Sequence, residues 1–113
     1  MHSVAELPAY SRVANKLLSQ DERYSLIAYL ASHPRAGDII EGTGGVRKLR
    51  WRCGNRGKSG GVRIIYYYHN DQMPLYLLTL FTKGHKADLT GAERHHLACM
   101  VGMLVDIYKG RRL

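Results

Sequence analysis

The chain has 113 residues, a formal charge of +8 at pH 7 and 45% hydrophobic residues, which suits a single domain over residues 1–113 with one modest core. No apolar run approaches the roughly 20 residues that cross a bilayer, and the polar opening MHSVAELPAYSR lacks the basic-then-apolar pattern of a secretory leader, so a cytosolic location without membrane contact is expected. Cys53 and Cys99 form no CxxC pair, which argues against a disulfide framework or a zinc site.

In chain order, Ser3 to Leu7 reads as a short first strand, and Pro8 opens a helical pattern to about Leu18 with Tyr10, Val13 and Leu17 at helical spacing. Ser19 followed by Glu22 fits a capping box, and Tyr24, Ile27, Leu30 and Ala31 form the apolar stripe of a second helix that Pro34 and Gly37 stop. Residues Ala36 to Gly45 are expected to be an ordered loop anchored by Ile39 and Ile40.

The period then becomes alternating. Val46 to Arg52 puts Leu49 and Trp51 on one strand face and Lys48, Arg50 and Arg52 on the other. Gly54 to Gly61 is too rich in glycine for a strand and is expected to be a mobile loop. Val62 to His69 is rich in β-branched and aromatic residues, the mark of a strand near the middle of a sheet. After a turn at Asn70 to Pro74, Leu75 to Thr82 completes an antiparallel meander. A final helix is capped by Thr90 and Glu93, carries Leu97, Val101, Leu104, Val105 and Tyr108 at core intervals, and stops at Gly110. The expected order is β-α-α-β-β-β-α, an α+β domain in which two N-terminal helices and a C-terminal helix pack on one face of a small twisted antiparallel sheet. The opposite face is left for Lys48, Arg50 and Arg63.

From Gly42 to Asn70 there are seven Lys or Arg residues and no carboxylate. An ordinary solvated surface mixes both signs of charge. Unmixed cations on extended segments suit a polyanion, because phosphates attract them irrespective of base sequence and released counterions strengthen the attraction.

The strings GDIIEGTGGVRKLRW, GKSGGVRIIYYY and PLYLLTLFTKGHKADL, in this order, resemble the RelE/ParE superfamily of bacterial toxins, most closely its HigB-type branch. The resemblance covers roughly residues 34 to 90 by motif and implies a RelE-like fold. Members of that superfamily either cleave messenger RNA on the ribosome or inhibit DNA gyrase, and fold alone does not choose between them. RNA cleavage by an attacking 2′-hydroxyl needs a group to take its proton, charge to steady the phosphoryl oxygens and an acid for the leaving 5′-oxygen, without a metal or other cofactor. In keeping, no Asp or Glu on the basic strands stands ready to hold magnesium, and Asp71 and Asp88 look isolated at strand ends.

The resemblance implies that Lys48 and Arg50 bind and polarise the phosphate, that Arg63 stabilises its developing charge and that Lys83 is a fourth cation. Where the family often has an arginine and a tyrosine this chain has Gly84 and Thr90, so the proton transfer is assigned to Lys83 or His85, the latter with an unperturbed pKa of about 6.5. Arg47, Arg52, Arg56, Lys58 and Lys86 are the expected backbone contacts, with Tyr67 stacking on a splayed base. His95 and His96 read as structural or interfacial, and Trp51 as core.

The implied partners are a cognate antitoxin protein, the A site of the small ribosomal subunit and messenger RNA. The chain has no helix-turn-helix pattern, so DNA contact is expected only through the antitoxin. Two other classes fit the sequence: a ParE-like gyrase inhibitor acting through its first two helices, and a noncatalytic ribosome or RNA binder.

Overall fold

The computed structural model describes residues 2–52, 61–82, 84 and 88–110. Among them run β1 (Val4–Glu6), α1 (Pro8–Leu17), α2 (Gln20–Ser32), β2 (Asp38–Ile39), β3 (Val46–Trp51), β4 (Val62–Tyr67), β5 (Leu75–Thr82) and α3 (Gly91–Tyr108). They make an α+β fold built on a five-stranded mixed sheet in the order β1-β5-β4-β3-β2. None of these helices is long and apolar enough to cross a membrane.

Local chemistry accounts for the helix boundaries. Ser19 Oγ accepts the Glu22 amide at 3.1 Å while Glu22 Oε1 accepts the Ser19 amide at 2.8 Å, so two donors with no partner inside α2 are satisfied reciprocally. Thr90 and Glu93 repeat the arrangement at α3, at 3.1 and 2.8 Å. α1 starts without a side-chain cap, and Pro8 in its first turn supplies a backbone already set for the helix.

β3, β4 and β5 form the expected antiparallel meander. Three features depart from the sequence reading. The sheet is mixed, because β1 lies parallel to β5, with Val4 beside Leu75 and Glu6 beside Leu77. The loop from Ala36 to Gly45 contains a short edge strand, β2, pairing Asp38 with Lys48 and Ile39 with Arg47; Ile40 is buried, whereas Ile39 is exposed. The helices also cover both faces of the sheet, not one. Tyr10, Ala14, Leu26 and Leu30 of α1 and α2 pack on Val62, Ile64, Tyr66, Leu75, Leu77 and Leu80. Leu97 and Val101 of α3 pack on the reverse, against Val46, Ile65, Tyr67, Leu78 and Phe81. The apolar run from Ile64 to Tyr67 in β4 is the physical reason, since it sends large side chains to both sides and each side must be removed from water. A β-bulge between Ile65 and Tyr66 shifts the β4–β5 register. On α3 the apolar spacing overreaches: Tyr108 is exposed, together with Met103 and Ile107.

The turn before β3 is held by one buried hydroxyl. Thr43 Oγ1 donates to the Ile40 carbonyl at 2.6 Å and accepts the Val46 amide at 3.0 Å. Tyr66, fully buried, steadies the preceding loop by donating to the Pro34 carbonyl at 2.9 Å and accepting the Gly37 amide at 2.8 Å. Burial pushes its hydroxyl pKa up, against the opposing effect of the Gly37 amide. Gly61 leads into β4 with φ +83°, and a Cβ there would collide with the Trp51 carbonyl, so only glycine fits.

Candidate nucleic-acid interface

The β3–β4 register decides which cations meet. Arg50 lies directly opposite Arg63, Lys48 opposite Ile65 and Val46 opposite Tyr67. Strand alternation then sends Lys48, Arg50 and Arg63 to one face of the sheet, the face covered over part of its area by α3. Like charges directly opposite each other destabilise a strand pair, so the Arg50–Arg63 pairing carries a cost that an anion between them would relieve. Arg50 is exposed and Arg63 half-buried. The Nη1 of Arg63 is buried without an acceptor among the described residues.

Asp88 is not isolated at a strand end. Its Oδ1 accepts from Lys48 Nζ at 3.3 Å, and its Oδ2 lies 3.6 Å from Arg94 Nη2 of α3. The Leu89 amide also donates to Oδ1, at 2.8 Å. That amide above all, with Lys48 and Arg94, holds the Asp88 carboxyl below the usual carboxylate range against a partial opposing effect of burial. Lys48 is thus engaged by an acid, and a phosphate arriving there competes with a carboxylate.

The remaining expected residues divide. Arg47 points to the other face, where its Nη1 donates to the carbonyls of Gly37 at 2.7 Å and Arg35 at 3.3 Å; it ties the loop to β3 and is not brought to the cluster. Arg52 is exposed just beyond β3. Tyr67 shares the face of Arg63 but is only 6% exposed, with its hydroxyl 3.0 Å from His69 Nδ1, so its ring is packed rather than offered to a base. Burial raises its pKa. Arg56, Lys58, Lys83, His85 and Lys86 lie outside the described residues.

Sequence reasoning missed Arg94 and the bridging role of Asp88. The Asp-Leu-Thr string just ahead of α3 was the available signal, since an acid there begins the cap and can also reach a neighbouring strand. His95 and His96 are exposed on α3, and His95 Nε2 is 3.7 Å from Cys99 Sγ. Among the described residues no group of three His, Cys, Asp or Glu side chains gathers as a metal centre would.

Three cations on one face, two of them directly opposed, can hold a phosphodiester and neutralise charge developing on it. No protein-family model matches the chain.

Proposed function

We propose that this chain is the toxin of a type II toxin–antitoxin pair, an endoribonuclease that cuts messenger RNA on the ribosome by attack of a 2′-hydroxyl on the neighbouring phosphate. The observation that carries the reading is the Arg50–Arg63 opposition with Lys48 beside it, a cation cluster whose mutual repulsion an anionic linkage would relieve. In this reading Arg63 and Arg50 neutralise the phosphoryl oxygens as negative charge builds. Lys48 exchanges Asp88 for the phosphate, and Arg94 keeps Asp88 from following it. Lys83 or His85 moves the proton. The antitoxin neutralises this surface, and DNA contact belongs to the antitoxin.

The test is expression of the chain in a translating extract with mapping of transcript 5′ ends, comparing wild type with Arg63→Ala. Cuts confined to ribosome-occupied positions, reduced roughly 100-fold or more by the substitution, are the expected result. Undiminished cutting by the variant would overturn the assignment. Arrest that persists without cuts and tracks gyrase-linked DNA breaks would point to the ParE-like class, and intact ribosome binding by a wild type that never cuts would point to a noncatalytic binder.

A further inference from the structure

On the reverse of β3 an aromatic ladder reaches the surface. The Trp51 and Tyr29 rings lie with centroids 5.5 Å apart, and Tyr29 stacks on His33 at 4.6 Å with only 21° between planes. Tyr29 is 37% exposed despite its position on the helix that covers this face. Two hollows open beside it, of about 330 and 390 Å³; Leu49, Trp51 and Arg52 bound the first, and His33 and Arg35 the second. None of the described lining residues is acidic.

The ladder is continuous with the cation face. β2 covers only Arg47 and Lys48, so among the described residues no strand runs alongside Leu49 to Trp51 on that side of β3. Arg50 belongs to the phosphate-binding face and also lines the first hollow. A flexible polyanion held at Arg50 and Arg63 can therefore turn round this edge and meet the rings.

We propose that Trp51, Tyr29 and His33 form a stacking platform for bases of single-stranded RNA, with Arg50, Arg52 and Arg35 holding the backbone that reaches it. Aromatic faces accept any base, and arginines beside them hold the strand without reading its sequence. The inference rests on the RNA reading above and extends the contact from one phosphate to several nucleotides.

Trp51 is the chain's single tryptophan, so its emission reports the platform directly. The probe is a labelled 2′-O-methyl oligouridine, which lacks the attacking hydroxyl, with inorganic polyphosphate as the base-free control. RNA should raise the probe's anisotropy and quench Trp51 to saturation, whereas polyphosphate should bind without quenching. Tyr29→Ala should weaken RNA binding roughly tenfold and leave polyphosphate binding unchanged, and Tyr29→Phe should restore it. The wild-type emission carries the test even if the alanine variant fails to fold. RNA binding with unaltered Trp51 emission and no effect of Tyr29→Ala overturns the platform while leaving the cation face intact. The converse pattern, affinity sensitive to Tyr29→Ala but not to Lys48→Ala with Arg63→Ala, supports the platform and overturns the cation face. Absence of RNA binding overturns both. Shielding of Trp51 from acrylamide by a partner protein but not by RNA overturns the platform in favour of a protein interface.

Discussion

Arg47 and Arg50 belong to one strand and carry the same guanidinium, yet they sit in opposite electrostatic situations. Arg47 faces the α1–α2 side and donates to the backbone carbonyls of Gly37 and Arg35, completing a loop. Arg50 faces the α3 side across from Arg63, another cation. A basic residue that satisfies carbonyls belongs to the fold, and one set against its like is available to a ligand. Strand parity separates the two, and residue type does not.

Substitution can break that contrast. The largest effect on stability is expected from Arg47→Ala, which leaves the Gly37 carbonyl without its donor: a loss of about 2 kcal/mol in urea unfolding, with RNA affinity little changed. Arg50→Ala should leave stability unchanged or slightly raised, because it removes a like-charge opposition. Equal destabilisation by both would erase the distinction between the faces.

A smaller effect sharpens the role of Lys48. If its ammonium exchanges Asp88 for phosphate, Lys48→Ala should weaken oligonucleotide binding and lower the slope of log affinity against log salt by roughly 0.7 for a single strand. An unchanged slope would remove Lys48 from the phosphate contacts.

The smallest effect concerns Asp88. Because its carboxyl pKa is depressed in the folded chain, its contacts with Leu89, Lys48 and Arg94 contribute stability above the ordinary carboxylate pKa of about 3.9, and that contribution is lost as pH falls through the lower folded value. Asp88→Asn should flatten the acid limb of urea midpoints measured from neutral pH downward. The same variant should bind RNA roughly threefold more tightly, since a competing surface carboxylate is gone. Weaker binding by the variant would make Asp88 a support for Lys48 rather than a rival of the phosphate.

Much of this arrangement is legible in the chain itself. Alternation through Val46 to Trp51 separates Leu49 and Trp51 from Lys48 and Arg50, and the Ser19–Glu22 and Thr90–Glu93 spacings mark both capped helices, because these are properties of neighbours within one turn or one pleat. The parallel seat of β1 beside β5 is not legible, since a three-residue strand does not specify a partner some 70 positions away. Nor is the side on which α3 packs: apolar spacing shows that α3 has a buried stripe, and the two-sided apolar character of β4 only demands that something cover each face. At the site, Arg63 could be placed with Lys48 and Arg50 once the register was known. Asp88 joins Lys48 through tertiary packing across 40 positions, and Arg94 joins through Asp88.

The pairing of β1 with β5 has a consequence for the timing of synthesis. The first strand leaves the ribosome early but has no seat until Leu75 to Leu77 follow, and α3 reaches Val46 and Tyr67 later still. Loop closure over such a span is slow, and a nascent chain cannot attempt it while its second half is still being translated. The hairpin of β3 and β4 is local and can form sooner. Of its aromatic side chains, Tyr66 meets α1 and α2, which are made before it, whereas Tyr67 waits uncovered until α3 has been synthesised.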